Sequence, residues 1–170
     1  MNRIMIFGFS GSGKSTLAGK LGELLGIEPT HMDKLHWLPG WVESTREYKR
    51  EKLAPVISRD RWIIEGNYLA VLFKERFDNA DTIIFTDVNR FACFKNAFLR
   101  SVKYRHRTRP DMGEGCTEKF DFEFAKWILF DGRKKRRKYL DIAERGRLCG
   151  KEVYVFKSIR QINKWLGSLN

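Results

Sequence analysis

Short apolar runs alternate with longer segments of helical periodicity along the whole chain. The runs at 3–7, 27–33, 61–68, 81–87 and 151–157 are bounded by turn residues or charges, and each is predicted to form a strand. In the segments between them, apolar residues recur at intervals of three or four, which indicates helices. Strands that alternate with helices predict an α/β fold, a parallel and doubly wound sheet with helices on both faces.

Apolar spacing and helix-breaking residues delimit the predicted helices. Leu17 and Leu21 lie one turn apart in a first helix that Gly26 ends, and Pro55 is expected to kink or split the second. No repeat, low-complexity tract or linker divides the sequence, so residues 1–170 are predicted to form one domain. The predicted helices cover about 14–26, 43–58, a segment from 90 onward, 118–145 and 159–169.

The segment from Gly8 to Ser15, hereafter the phosphate loop, matches G-x-x-x-x-G-K-[ST] at every fixed position. It follows a predicted strand and precedes a helix, where its backbone N–H groups can cradle phosphate oxygens. Lys14 is expected to reach the β and γ phosphates and Ser15 to ligate Mg²⁺, so the predicted cofactors are ATP and Mg²⁺. A glycine turn that only packs the helix on the sheet is the alternative. The predicted nucleotide-binding residues here are Gly8, Ser10, Gly11, Ser12, Gly13, Lys14, Ser15 and Thr16.

Two acidic residues, Glu65 and Asp87, lie at the ends of predicted strands. Ligands of open α/β sheets collect at the carboxyl ends of strands, and Mg²⁺ in such sites takes one or two carboxylates. At least one of the two is therefore expected to hold the metal. For either one alone, an ordinary surface acid is an equally open interpretation.

The charge of the chain is +12, and most of the excess lies in its second half. Arg90 to Lys151 contains 18 of the 33 lysines and arginines but 8 of the 21 acidic residues. The six consecutive basic residues from Arg133 to Lys138, hereafter the basic run, form a candidate nucleic-acid patch. Consecutive helical positions point all around the axis, however, so a solvated helix or a contact with phosphate or lipid stays open.

Three widely spaced cysteines, Cys93, Cys116 and Cys149, have no metal-ligand spacing. No cleavable leader precedes the phosphate loop, and no apolar run approaches the length of a membrane span. The sequence therefore predicts a cytoplasmic protein with reduced thiols. It does not indicate an oligomeric state.

Several segments together resemble the adenylate-kinase-like P-loop proteins labelled topology modulation proteins. They are the phosphate loop, "THMD", "WIIEGNY", "FTDVNR", "RTRPDMGEGC" and "VFKS". The resemblance implies the nucleoside/nucleotide kinase fold, with five parallel strands. It further implies an acceptor-binding segment at about 31–60 and a small helical lid at about 104–118. In adenylate kinases the glycine that corresponds to Gly66 is followed by Phe-Pro-Arg. This chain has Asn67 and Tyr68 there instead, which argues against AMP as the acceptor.

The resemblance also assigns roles to individual residues. Asp33 is similar in position to the acid that faces the hydroxyl being phosphorylated, where a carboxylate can take its proton. His31, His36, Trp37 and Asn67 are the other predicted acceptor-binding residues. Structural roles are the alternatives. Asp33 would then cap a turn, the histidines would have hydrogen-bond partners within the protein, and Trp37 would pack against its own loop.

Arginines near the predicted lid are implied to close over the transferring phosphates. Arg105 and Arg109 are the predicted catalytic arginines, and Arg100 is a predicted nucleotide ligand; a solvated basic helix face is the alternative. Lys157, after the last strand, resembles the loop that contacts the base in this family.

The sequence therefore predicts ATP- and Mg²⁺-dependent phosphoryl transfer to a small hydroxyl- or phosphate-bearing acceptor held near Asp33. A nucleotide-gated nucleic-acid-binding protein that uses the basic run is the alternative. A third possibility is an ATPase with water as the acceptor.

Overall fold

The computed structural model describes residues 1–105 and 107–169. Five of its strands form one parallel sheet in the order β2-β5-β1-β6-β7, and β3 and β4 form a separate antiparallel hairpin. This confirms the predicted doubly wound α/β fold. The strands are β1 (Arg3–Gly8), β2 (Pro29–His31), β3 (Trp37–Leu38), β4 (Val42–Glu43), β5 (Trp62–Glu65), β6 (Thr82–Thr86) and β7 (Glu152–Phe156).

Four of the described helices begin at a residue whose side chain caps the first turn. Gly26 ends the first helix in the left-handed region at φ +63°, and the Thr45 hydroxyl accepts the Tyr48 N–H at the start of the third. The helices are α1 (Lys14–Leu25), α2 (Met32–His36), α3 (Arg46–Ile57), α4 (Phe73–Asn79), α5 (Arg90–Lys103), α6 (Phe122–Leu129), α7 (Arg136–Leu148) and α8 (Ile159–Gly167). A 3₁₀ turn over Asp131–Lys135 joins α6 to α7. Within the described ranges, no helix is both long and apolar enough to cross a membrane.

The sheet is buried on both faces, which explains why its strands are apolar without alternation. Along β1, Ile4 and Ile6 pack against α1 and α8, whereas Met5 and Phe7 pack on the opposite side with α7. Phe7 also stacks on Phe85 of β6, with 5.3 Å between the ring centroids. Full burial of an apolar side chain of this size contributes about 1.5–3 kcal/mol, so the sheet is a firm platform for the loops at its carboxyl edge.

Several boundaries differ from those predicted from the sequence. The single helix predicted over 118–145 is wrong, because α6, the 3₁₀ turn and α7 replace it; a Cβ at Gly132 would lie 3.1 Å from the Trp127 carbonyl oxygen. Pro55 does not split α3, since it lies in the last turn, where only one backbone hydrogen bond is lost. The second strand ends at His31, which places Asp33 in α2.

The predicted lid, residues 104–118 and hereafter the lid segment, has no helix among its described residues. It is built from turns and two isolated bridges, Arg105 to Glu118 and Thr108 to Thr117. Helices α5 and α6 flank it on either side. Its helical character was therefore not correctly predicted, because the bridges fix an extended path across a sequence rich in Pro and Gly.

Candidate active site

The phosphate loop requires glycine at positions where the backbone approaches neighbouring segments. Gly8 and Gly11 have φ values of +152° and +75°. A Cβ at Gly8 would lie 2.0 Å from Thr86 Oγ1, and one at Gly11 would lie 2.1 Å from the Cys93 carbonyl oxygen. The loop is thus held tightly against β6 and α5 as it enters α1, with its amides at the helix N-terminus.

Two polar side chains pin the loop in this shape. The Ser12 hydroxyl donates to the Phe9 carbonyl at 2.6 Å and shares a second 2.6 Å hydrogen bond with the Thr86 hydroxyl. Asn67, predicted to bind the acceptor, donates to the Gly8 carbonyl at 2.6 Å and accepts the Gly8 N–H at 2.9 Å. Both side chains therefore hold the loop to the sheet.

A first cavity of about 590 Å³ lies beside the N-terminus of α1. Gly11, Gly13 and Lys14 to Thr16 form one wall, and Ile159 and Asn163 of α8 form another. Lys157 lines neither cavity of the site; its amide donates to Gln161 Oε1 at 2.7 Å. The sequence analysis missed the α8 residues, whose only signal was their place directly after the last strand.

Glu65, at the end of β5, contacts two side chains of the phosphate loop. Its Oε1 is 3.5 Å from Lys14 Nζ, its Oε2 accepts the Ser15 hydroxyl at 3.3 Å, and His31 Nδ1 lies 3.0 Å away. Burial alone would raise the pKa of this carboxyl, but Lys14 and His31 hold it below its usual range. An ionised carboxylate beside a serine hydroxyl is a pair of hard oxygen ligands suited to Mg²⁺.

Asp87, the other candidate acid, is occupied elsewhere. Arg136 donates from Nε to Asp87 Oδ1 at 2.9 Å and from Nη2 to Oδ2 at 2.6 Å. Asp87 lines neither cavity, whereas Ser15 lines both. Of the two acids, the structure therefore brings Glu65, and not Asp87, into contact with Ser15.

A second cavity, of about 1210 Å³, is lined by Ser10, Lys14 and Ser15 of the phosphate loop. Asp33 of α2 lies in its wall and accepts the Tyr68 hydroxyl at 2.7 Å. Burial raises the pKa of Asp33 and the charge of Glu65 raises it further, against the opposing effects of Lys14 and Tyr68. The two cavities have four lining residues in common: Lys14, Ser15, Arg100 and Arg109.

The predicted acceptor residues on the α2 side have internal partners. His36 Nδ1 lies 2.7 Å from Lys49 Nζ; burial and then the Lys49 charge lower the pKa of His36, so the imidazole is neutral at neutral pH. The ring packs against Trp37 and Tyr68, with centroids 4.4 and 4.5 Å away. His36 and Trp37 line the second cavity, whereas His31 lines the first.

Two of the predicted arginines, Arg100 and Arg109, form ion pairs with the same carboxylate, that of Glu118. Arg100 Nε lies 2.9 Å from Glu118 Oε1, and Arg109 Nε lies 2.6 Å from Glu118 Oε2. Arg109 also donates from Nη1 to Asp111 at 2.9 Å. Burial would raise the pKa of Asp111, but Arg109 and the Ser15 hydroxyl hold it below its usual range. Arg105 is exposed and lines neither cavity.

Sequence reasoning missed Asp111 and Glu118. The signal available was a group of arginines at 100–109 followed by three acids at 111–118, without any indication of which charges would meet.

The basic run does not form one solvated helix face. The Arg133 guanidinium lies 3.8 Å from the centroid of the Phe9 ring and donates to the Val88 carbonyl at 2.8 Å. Arg136 binds Asp87, and Lys135 and Lys138 line the second cavity. The run is thus divided between structural contacts, the cavity wall and solvent.

The comparisons with known proteins bear on the fold. No protein-family model and no curated protein sequence matches this chain. A shikimate kinase from Acinetobacter baumannii in complex with shikimate is similar in structure, with a TM-score of 0.62 and 16% identity over 99% of this chain and 90% of that chain. A shikimate kinase from Bacteroides thetaiotaomicron has a TM-score of 0.57 and 19% identity over 99% and 95% of the two chains. A putative kinase from Chloroflexus aurantiacus has a TM-score of 0.51 and 12% identity over 99% and 97%.

These likenesses confirm the predicted kinase-like P-loop α/β fold. At such identities they concern the fold alone. The narrower resemblance to topology modulation proteins stays a prediction.

Proposed function

We propose that this protein catalyses ATP- and Mg²⁺-dependent phosphoryl transfer to a small hydroxyl- or phosphate-bearing acceptor. One observation carries the proposal: Lys14 and Ser15 lie where two cavities meet, and the second cavity has the carboxylate of Asp33 in its wall. A triphosphate held by the phosphate loop would extend along this boundary, with its terminal phosphate between nucleotide and acceptor.

Ser15 and Glu65 are the residues that would hold Mg²⁺. The observation that fits them to the metal is the 3.3 Å contact of the serine hydroxyl with a buried carboxylate whose pKa is held low. Bound there, the metal would supply positive charge to the phosphate oxygens. Lys14, 3.5 Å from Glu65, supplies a second positive charge at the same place.

Asp33 is the proposed general base. Its position in the second cavity allows it to orient an acceptor hydroxyl and take its proton, an effect worth about 10²- to 10⁴-fold in rate. Arg100 and Arg109 would neutralise charge on the transferring group, and their place in the lining of both cavities supports this role. In this proposal residues 31–60 carry much of the acceptor site, and the lid segment bears Arg109.

The test is mass-resolved analysis of products formed from ATP and Mg²⁺ with a panel of nucleosides, nucleotides and small hydroxy acids. Shikimate belongs in the panel because it is the compound bound to one structural neighbour. We expect one new phosphorylated species that disappears in Lys14→Ala. Loss of ATP without a second phosphorylated product would indicate an ATPase, and undiminished product in Lys14→Ala would overturn the mechanism.

A further inference from the structure

We infer that the acceptor is a small anion, carrying a phosphate or carboxylate group that Lys135 and Lys138 bind in the wall of the second cavity. This rests on the proposed function, because it specifies the acceptor of that same site. The observation is an excess of uncompensated positive charge around this cavity.

Basic residues outnumber acidic ones along the wall of this cavity. Five lysines and three arginines line it, against two aspartates and two glutamates. Some of these charges cancel within the protein: Glu118 pairs with Arg100 and Arg109, and Glu43 lies 3.6 Å from Lys49. Four cations form no ion pair with any described carboxylate: Arg46, Lys119, Lys135 and Lys138.

The acidic residues that remain do not balance these cations. Asp121 accepts the Phe124 N–H as the cap of α6. Asp33 is bound to the Tyr68 hydroxyl, and its burial disfavours the charged form. The free protein therefore carries unneutralised positive charge around the cavity, which favours an anionic ligand.

The division of the basic run shows that Lys135 and Lys138 are placed there by the fold. Arg133 and Arg136 anchor the run through Val88 and Asp87. Lys135 directly precedes the first residue of α7 and Lys138 lies three positions later, a spacing that brings two helical side chains to the same face.

The chemistry at this wall is that of an anion site. The first turn of α7 has no acidic residue, so no carboxylate in that turn offsets the two ammonium groups. Lysine ammonium groups bind phosphate and carboxylate oxygens as point charges. A neutral acceptor would leave these charges unpaired, so the wall favours anions over neutral compounds of the same shape.

The chain supplies a matched control for this inference. Lys134 and Arg137 belong to the same basic run but do not line the second cavity, and Lys134 lies 2.7 Å from Asp131. The cavity variant is Lys135→Gln with Lys138→Gln, and the control variant is Lys134→Gln with Arg137→Gln. Each removes two positive charges, so the general field of the protein changes equally in both.

The probes are inorganic phosphate and acetate. Binding is followed by tryptophan fluorescence, since Trp37, Trp41 and Trp127 line the cavity. The protein is first saturated with a nonhydrolysable ATP analogue and Mg²⁺, so that the phosphate loop does not take the probe. We expect binding of one probe to weaken at least about tenfold in the cavity variant and to stay within twofold in the control variant. Whichever probe binds identifies the group as phosphate or carboxylate.

Equal loss of binding in both variants would overturn the inference, because the effect would then belong to the general field. The inference would also be overturned by a neutral acceptor that is phosphorylated with the same KM in wild type and the cavity variant. If the protein bound duplex DNA and both variants weakened that binding equally, the basic run would be a nucleic-acid surface instead. Failure of the proposed function would appear separately, as absence of any product that depends on Lys14, since the anion titration involves no turnover.

Discussion

The Tyr68 hydroxyl donates a 2.7 Å hydrogen bond to the carboxylate of Asp33. This contact joins the loop after β5 to α2 in the wall of the second cavity. It favours the charged form of Asp33, which burial and the nearby Glu65 disfavour. A tyrosine that lies 35 positions away in the sequence thus partly offsets the effect of burial on the pKa of the proposed base.

Tyr68→Phe is expected to raise the pKa of Asp33 further, because the variant loses the hydrogen bond that stabilises the carboxylate. If the ionised Asp33 is the base, the acid limb of the profile of kcat/KM against pH should move to higher pH, by roughly one unit or more for a hydrogen bond to a charged group. Profiles of wild type and variant with the acceptor found by product analysis measure this. An acid limb that stays in place would show that another group controls it.

Asp33→Asn should separate stability from activity. Because the folded-state pKa of Asp33 lies above its unfolded value, folding favours the protonated form. The wild type therefore loses stability as pH rises through the folded-state pKa, and a neutral amide avoids this loss. We expect a higher free energy of unfolding for the variant at neutral pH, no difference below the unfolded-state pKa, and a rate lower by about 10²- to 10⁴-fold. A variant that is less stable than wild type at neutral pH would contradict the burial argument.

Glu65→Gln and Asp87→Asn test the metal assignment as a pair, since each neutralises one acid at a strand end. Glu65→Gln should raise the Mg²⁺ concentration needed for half-maximal rate by about tenfold or more, because it weakens one of two proposed ligands. Asp87→Asn should leave that concentration unchanged and lower stability by up to about 1 kcal/mol, since its partner Arg136 is half exposed. Magnesium titrations combined with urea unfolding measure both effects. The reverse pattern would assign the metal to Asp87.

The sequence could predict those parts of the site whose residues lie close together along the chain. The phosphate loop was recognisable because its chemistry is local: Gly8 to Ser15 carry it in consecutive positions. The sheet followed from apolar runs that are buried on both faces. Glu65 and Asp87 could not be distinguished, because each follows a strand and only the fold shows that Arg136 occupies one of them.

The remaining residues depend on contacts between distant segments. Asn67 lines the second cavity, and its amide also makes two hydrogen bonds with the backbone of Gly8, 59 positions away, which the sequence did not indicate. The basic run has a uniform composition, yet tertiary contacts divide it into anchors, a cavity wall and exposed residues. Identical residue types give no local signal for that division.

Arg109 and Arg105 provide the last comparison, because both were predicted to be catalytic and the structure separates them. Arg109 lines both cavities, whereas Arg105 is exposed and lines neither. Arg109→Gln should lower kcat by about 10²- to 10³-fold, because a positive charge beside the transferring phosphate acts mainly in the transition state. Arg105→Gln should stay within about twofold of wild type, as expected of a solvent-exposed charge.

Because Arg109 also pairs with Asp111 and Glu118, its variant is compared with wild type by thermal melting before the rates are measured. A folded Arg109→Gln protein with an unchanged kcat would remove this arginine from the mechanism, and a large loss in Arg105→Gln would mean that the lid segment closes further over the site than its bridge to Glu118 permits here.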